Sequence, residues 1–203
     1  MPRHPSGGLI PAAFYLRPVT EVALDLLGRH LVRGPVVLRI TEVEAYGGAE
    51  DSASHCRHGR TTRNAPMWGL GGHAYLYFCY GMHWMLNVVT GPEGVGAAVL
   101  IRAADVVAGH SEVLSRRRAS DLRPELLAGP GKVGQALGLG YDGNHDPLFR
   151  RGGLELREGR PEASILRGPR VGVGFATPED QARPWRFALA GCRALSRPRF
   201  PFH

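Results

Sequence analysis

Short apolar blocks separated by Gly/Pro-rich breaks fill much of the chain, a pattern that predicts strands joined by turns. The clearest block runs from Val36 to Tyr46 and follows a Gly-Pro turn. On a strand, side chains two residues apart share a face, so Glu42, Glu44 and Tyr46 lie with the apolar residues that precede them. An unpaired carboxylate on an apolar face is costly and therefore needs an explanation. For Glu42 we expect a solvated position at the end of the strand.

Other segments carry weaker versions of the same signals. Between Thr20 and Gly28 the apolar residues share one helical face, with Thr20 as a plausible N-cap and Gly28 as the stop. Further strands are predicted at residues 73–80, 84–90, 97–103, 154–156, 164–166 and 185–190. Helices are predicted at residues 105–117 and 119–128, with a new helix after Gly129.

Two of these strands surround Gly81 and predict a β-hairpin. Tyr77 shares a strand face with Tyr75 and Cys79, whereas Tyr80 falls at the turn. An aromatic side chain beside a glycine at a hairpin tip is suited to entering a stack of bases. Packing of these tyrosines on the sheet is an equally good interpretation of the pattern alone.

The segment 47–72 is a long loop rich in Gly, Ser, Thr, Arg and His, and we expect a short helix near Ser52 at most. Structureless loops of this length in a compact domain are usually functional. No internal repeat and no linker divides the chain, and 203 residues are enough for one domain.

A formal net charge of +7 favours binding to polyanions. Lys132 is the only lysine, so almost all of the positive charge is arginine, which suits bidentate phosphate contacts. A GC-rich genome would explain the preference for arginine, but it would not explain the excess of basic over acidic residues. From the net charge alone, binding to nucleic acid and no such binding are equally well supported.

Cysteine usage and hydropathy limit the remaining classes of protein. The three cysteines are isolated, without a disulfide pattern or a Cys-x-x-Cys zinc pair, and a reducing cytosol is the simplest location. We expect no membrane span and no metal or other cofactor. His55 and His58 flank Cys56 and Arg57, but without further ligands at suitable spacing we interpret His55 as a polar contact in a pocket.

Two sites carry candidate chemistry. Glu44, beside the flat ring of Tyr46, could activate a water for attack on a sugar C1′, although a plain acid at the strand end is the commoner case. Residues 129–134 contain Gly129, Pro130, Gly131 and Lys132 at a predicted helix start. Exposed amides and one lysine there suit a phosphate, and simple capping is the alternative.

A resemblance to a known family rests on an ordered series of motifs. They lie at residues 14–17, 23–28, 41–46, 51–55, 62–67, 77–82, 86–88, 99–103, 129–132 and 169–174. Each motif is weak alone, but their succession over residues 14–190 is specific. The chain resembles the alkyladenine (3-methyladenine) DNA glycosylase family. The absence of a basic N-terminal extension suggests a bacterial member.

The resemblance implies roles for residues of one pocket. Glu44 matches the general base that activates the water, and Arg102 matches a residue near that water and the backbone phosphate. Tyr46, His55 and Tyr77 match the side chains that enclose and hydrogen-bond the flipped base. Asn87 matches the residue that clashes with the exocyclic amine of normal guanine.

The resemblance also implies contacts with DNA outside the pocket. Tyr80 matches the residue that intercalates through the minor groove, and Met82 matches a neighbouring minor-groove contact. Lys132 is our candidate for a phosphate contact. The expected partner is double-stranded DNA with damaged purines, bound by a monomer in the cytoplasm at the bacterial nucleoid.

The family's fold implies an α+β architecture: a single compact domain around a curved, mainly antiparallel β-sheet, with flanking helices and a protruding β-hairpin. We expect the domain at residues 14–195, a flexible arm at 1–13 and a poorly ordered Pro/Arg-rich tail at 196–203. The implied activity is monofunctional hydrolysis that releases 3-methyladenine, 7-methylguanine or hypoxanthine, without a lyase step. A non-catalytic sensor of damaged DNA and an RNA-binding module are the alternatives.

Overall fold

One antiparallel sheet dominates the computed structural model, which describes residues 7–160, 164–198 and 200. Its strands are β1 (His30–Arg33), β2 (Val36–Tyr46), β3 (Ala74–Cys79), β4 (His83–Thr90), β5 (Ala97–Ala108), β6 (Glu155–Arg157), β7 (Ile165–Gly168) and β8 (Arg186–Leu189). The main path of the sheet has the order β3-β4-β5-β2-β1-β6, while β8 pairs with β2 and β7 pairs with β8. Every strand pairing among these residues is antiparallel.

In the described part of the chain, four short α-helices flank the sheet: α1 (Val19–Leu26), α2 (His110–Arg117), α3 (Pro130–Leu137) and α4 (Pro178–Ala182). Single 3₁₀ turns lie at Ala12–Leu16, Ala65–Trp68, Pro124–Leu127 and Tyr141–Gly143. The buried face of α1 consists of Val22, Ala23 and Leu26, as its apolar spacing predicts. The structure confirms an α+β fold built on a curled antiparallel sheet with flanking helices and a hairpin.

Strand β2 has the bounds that its apolar pattern predicts, and it changes partner part-way along its length. On one edge it pairs with β5 throughout, and on the other it pairs first with β1 and then, from Glu42 to Glu44, with β8. Glu42 and Glu44 therefore lie in the middle of the sheet, and both are fully buried. The expectation that Glu42 is a solvated strand-end acid is wrong, because β8 covers this end of β2.

The β3–β4 hairpin reverses through Tyr80 and Gly81, which have φ angles of 53° and 65°. The Met82 amide donates to the Cys79 carbonyl at 3.1 Å and closes the turn. A bulky residue with positive φ is uncommon and often marks a functional position. The side chain of Tyr80 is 85% exposed, so the turn presents the ring to solvent rather than to the core.

Helix α3 packs directly on β4 through its glycines. A Cβ at Gly134 would lie 2.0 Å from the Trp84 carbonyl oxygen, and one at Gly131 would lie 2.7 Å from the His83 ring. These contacts give a packing reason for Gly131 and Gly134, and they hold β4 of the hairpin against α3.

Several local predictions differ from the structure. Residues 105–108 extend β5 instead of starting a helix, and 119–128 contain only a 3₁₀ turn. Helix α1 begins at Val19 with Pro18 as N-cap, so Thr20 is not the cap. The segment 47–72 is a loop as predicted, but turns rather than a helix follow Ser52.

Both ends of the described chain pack on the domain. Leu9 bridges to Arg157 and Ile10 is buried, whereas residues 1–6 of the predicted arm lie outside the described residues. Ser196 and Phe200, in the predicted tail, are also buried. Among the described residues, the helices are all too short or too polar to cross a membrane.

Candidate active site

A cavity of about 360 Å³ opens between the hairpin, the long loop and the segment 171–175. Its volume falls within the range of small-molecule pockets, about 300–1,000 Å³. The cavity brings together predicted site residues that are distant in sequence: Tyr46, His55, Tyr77, Tyr80, Asn87 and Arg102. A larger cavity of about 420 Å³ contains none of these six residues and is lined instead by side chains such as Arg39 and Arg193.

Glu44 lies directly behind the cavity wall. The Tyr46 hydroxyl donates to its Oε2 at 2.8 Å, and a terminal nitrogen of Arg102 donates to the same oxygen at 3.1 Å. The Val171 backbone amide donates to Oε1 at 2.7 Å. A carboxylate offers about four acceptor positions, so these three donors leave one position of Glu44 unfilled. The three donors fix the orientation of the carboxylate.

Arg102 connects Glu44 to the second buried acid. Its Nε lies 3.1 Å from Glu42 Oε1, while its terminal nitrogen holds Glu44, and only 6% of the residue is exposed. Burial disfavours the guanidinium charge, but the carboxylates of Glu44 and Glu42 outweigh it and raise the pKa of Arg102. Arg102 is therefore a fixed positive charge at the cavity wall.

Tyr46 presents its ring to the cavity and its hydroxyl to Glu44. Burial, followed by the charge and hydrogen bond of Glu44, raises the pKa of Tyr46 well above its ordinary value. The phenol consequently stays protonated and donates. Behind the ring, the Arg170 guanidinium lies 4.9 Å from the Tyr46 ring centre and 5.2 Å from that of Trp185.

His55 and Tyr77 of β3 also line the cavity, and Tyr75 lies buried beside them. The His55 and Tyr77 rings meet edge to face with centroids 4.7 Å apart, and His55 Nδ1 lies 3.0 Å from the Tyr75 hydroxyl. Burial raises the pKa of Tyr75 to about 12, and it also raises that of Tyr77. Both phenols are therefore neutral hydrogen-bonding groups at any physiological pH.

His55 is expected to remain neutral near pH 7. Burial, and then the charges of Arg63 and Arg57, disfavour the imidazolium and lower the pKa of His55 below 6.5.

Removing a nearby positive charge should reverse part of this shift in the pKa of His55. We therefore expect Arg63→Gln to raise the pKa of His55, measured by NMR titration of the imidazole. A matched Arg57→Gln variant should raise it less, and an unchanged titration in Arg63→Gln would contradict this electrostatic assignment.

Asn87 occupies the floor of the cavity. Its side-chain amide nitrogen donates to the Tyr75 carbonyl at 3.1 Å across the β3–β4 pair, and the residue is 5% exposed. This bond fixes the amide orientation, so the group cannot rotate freely to accommodate a ligand.

The three residues predicted to contact DNA do not share one environment. Tyr80 stands at the cavity mouth, and Met82 beside it is 68% exposed. Lys132 is half-buried on α3 and donates from Nζ to the Glu125 carbonyl at 2.9 Å. Its phosphate contact stays a prediction.

Several groups that shape the site escaped the sequence interpretation. The amide of Val171 bonds Glu44, Arg170 supports Tyr46, and Ser196 bonds both Glu42 and Arg102. Arg63 and Phe175 line the cavity. The motifs at residues 62–67 and 169–174 contain Arg63, Arg170 and Val171 without a role for them, and no motif contains Phe175 or Ser196. Within the described ranges, no group of three or more His, Cys, Asp or Glu side chains is arranged to hold a metal ion.

The family model described as methylpurine-DNA glycosylase matches residues 13–193. This chain belongs to that family. Methylpurine-DNA glycosylases are DNA-repair enzymes, so the chain is a DNA glycosylase and its partner is damaged DNA.

Individual relatives agree with this assignment. The chain is 55% identical over 196 residues to a Nitrosococcus oceani protein provisionally named a 3-methyladenine DNA glycosylase, covering 94% of this chain and 97% of the relative. It is 50% identical over 192 residues to a DNA-3-methyladenine glycosylase of Arabidopsis thaliana, covering 94% and 75% respectively. The glycosylase assignment therefore rests on similarity over nearly the whole chain.

Proposed function

We propose that this glycosylase is monofunctional and hydrolyses the N-glycosidic bond of alkylated or deaminated purines flipped out of duplex DNA. The candidate bases are 3-methyladenine, 7-methylguanine and hypoxanthine. The observation that carries the proposal is the fixed Glu44 carboxylate behind a cavity whose walls are Tyr46, His55 and Tyr77. A flat aromatic cavity suits a purine, and a base must leave the duplex to reach it.

Glu44 acts as the general base in this proposal. A water bonded to its remaining acceptor position gives up a proton as it attacks C1′, and the purine departs with the electrons of the glycosidic bond. The transition state has oxocarbenium character, which a nearby carboxylate stabilises. Arg102 holds Glu44 in place and can face the DNA backbone.

The position of the only lysine supports a reaction without a lyase step. Schiff-base chemistry needs an amine near C1′, and the only lysine of the chain is Lys132. Its ammonium nitrogen bonds the Glu125 carbonyl, and Lys132 is not among the residues that line the cavity. The product in this proposal is an intact strand with an abasic site.

In this proposal, Asn87 and the chemistry of the leaving group determine which purines are excised. An alkylated purine carries a positive charge and departs readily, whereas hypoxanthine is neutral and needs help from the pocket. Asn87, fixed by its bond to the Tyr75 carbonyl, would meet the exocyclic amine of guanine. Exclusion by such a clash is an effective way to reject an abundant competitor.

Tyr80 is assigned the role of a wedge that fills the space left by the flipped base. Stacking contributes about 1–3 kcal/mol per base, so Tyr80→Ala should weaken lesion binding roughly 5- to 150-fold. Because the side chain is 85% exposed, the thermal stability of the free protein should not change. Fluorescence anisotropy with a lesion duplex measures the affinity.

Tyr141→Ala is the matched control for Tyr80→Ala, since Tyr141 is also an exposed tyrosine, 76% accessible, but lies outside the hairpin. We expect it to keep wild-type affinity. Equal losses of affinity in the two variants would show that any exposed tyrosine contributes to DNA binding in this way. That result would contradict the role of Tyr80 as a wedge.

The test of the function is base release by the purified chain. One substrate is a duplex with a single hypoxanthine, the second is methylated DNA, and an undamaged duplex is the control. We expect free damaged base with an intact strand that breaks only on later alkali treatment. Tight lesion binding without release would favour the sensor, and strand cleavage without alkali would contradict the monofunctional assignment.

A further inference from the structure

The C-terminal segment reaches back across the sheet to the acids of β2. Residues 194–198 and Phe200, here named the C-terminal strap, pass over Glu42 and Arg186. The Thr41 hydroxyl donates to the Ala194 carbonyl at 2.7 Å, and Arg186 donates to the carbonyls of Ser196 and Pro198 at 3.0 and 2.8 Å.

Ser196 is the point where the strap enters the charged interior. Its hydroxyl donates to Glu42 Oε1 at 2.7 Å, and its amide donates to Glu42 Oε2 at 2.5 Å. The same hydroxyl oxygen accepts from Arg102 Nε at 3.1 Å and from a terminal nitrogen of Arg102 at 2.9 Å. One donor and two acceptor positions are all that a serine hydroxyl has, so its capacity is fully used.

This arrangement links Ser196 to Glu44 through a single residue. Arg102 is bonded on one side to Ser196 and Glu42, and on the other side to Glu44 Oε2. Glu42, Glu44, Arg102 and Arg186 balance in charge, two acids against two bases, and all are buried. The guanidinium of Arg102 therefore depends on Ser196 for two of the contacts that set its orientation.

We infer that Ser196 is a positioning residue for base excision, through which the C-terminal strap sets Arg102 and, through Arg102, the carboxylate of Glu44. The inference rests on the proposed function of Glu44. Ser196 lies outside the cavity lining and has no contact with the base, so it acts through Arg102 alone.

Loss of the hydroxyl leaves buried polar groups without partners. In Ser196→Ala, Arg102 loses two acceptor contacts and Glu42 loses one donor, which favours a shift of the guanidinium toward Glu42. Glu44 then loses a fixed partner at the oxygen that faces Tyr46. A misplacement of about 1 Å in such a site can reduce the rate about 100-fold.

The experiment compares Ser196→Ala, Ser196→Thr and Thr41→Ala with wild type. Each is assayed for single-turnover release of hypoxanthine from a duplex, for affinity toward that duplex, and for melting temperature. Thr41→Ala is the matched control, because Thr41 also anchors the strap with a buried hydroxyl but bonds only the Ala194 carbonyl. Ser196→Thr keeps the hydroxyl.

We expect Ser196→Ala to release base on the order of 10- to 100-fold more slowly, with unchanged affinity, while Ser196→Thr recovers most of the rate. Thr41→Ala should lower the melting temperature but keep the rate. Equal rates in Ser196→Ala and Thr41→Ala, whether both fast or both slow, would overturn the inference. If Ser196→Ala does not fold, Ser196→Cys replaces it, and a wild-type rate there would overturn it equally.

Failure of the proposed function gives a different pattern. If wild type releases no base, both the proposed glycosylase reaction and the positioning role of Ser196 are contradicted. If wild type releases base and Glu44→Gln does so equally well, Glu44 is not the base and a slow Ser196→Ala cannot act through it. Only slow release in both Glu44→Gln and Ser196→Ala, with Ser196→Thr restored, supports the inference.

Discussion

Glu44→Gln is expected to slow release of a damaged purine by about 10²- to 10⁴-fold while the lesion duplex still binds. Glutamine keeps the shape of the side chain but cannot take a proton from the attacking water. Its carbonyl oxygen can accept from only one of the two sides that hold Glu44, either Tyr46 and Arg102 or the Val171 amide. Single-turnover kinetics and anisotropy measure the rate and the affinity separately.

Glu50→Gln is the control for Glu44→Gln. Glu50 lies in the loop after β2, is exposed and is absent from the cavity lining, and Glu50→Gln removes the same charge as Glu44→Gln. We expect it to keep the wild-type rate. A Glu44→Gln variant that releases base as fast as Glu50→Gln would refute general-base catalysis by Glu44.

The second large effect concerns the buried ion pair behind Tyr46. Arg170 meets Asp51 through two bonds of 2.5 and 2.8 Å, and both side chains are completely buried. Removing one partner leaves the other charge buried and unpaired, so Arg170→Met should reduce the free energy of unfolding by about 3–5 kcal/mol. The Ala45 carbonyl also loses a donor at 3.0 Å. Urea unfolding followed by circular dichroism measures the change.

Arg123→Ala tests whether this effect belongs to burial rather than to ion pairing in general. Arg123 pairs with Asp121 at 2.8 Å, but both side chains are exposed. Exposed pairs contribute little to stability, and we expect no measurable change in melting temperature. If Arg170→Met is as stable as Arg123→Ala, the buried Arg170–Asp51 pair does not stabilise the site.

The elements that could be predicted from sequence are those with a local signal. The bounds of β2 follow from its apolar pattern, and the hairpin follows from two such blocks around Gly81. The sequence predicts a helix at residues 105–108, where the apolar residues suit either period. These residues form part of strand β5 because they pair with β2.

The environment of Glu42 could not be predicted from local sequence patterns. Its position on an apolar face was visible, but its fate depends on Arg102, Arg186 and Ser196, which follow it by 60, 144 and 154 positions. No periodicity links such positions. Arg170 is also distant in sequence from Tyr46, so its contact with the Tyr46 ring could not be predicted either. The motif that contains Glu44 and Tyr46 is local and can be recognised in the sequence.

The most direct test of the central claim is the crystal structure of Glu44→Gln bound to a duplex with one hypoxanthine. The account predicts that the purine lies in the cavity among Tyr46, His55 and Tyr77, with Tyr80 in the vacated position of the duplex. A hypoxanthine that remains stacked in the duplex, or that binds outside this cavity, would contradict it.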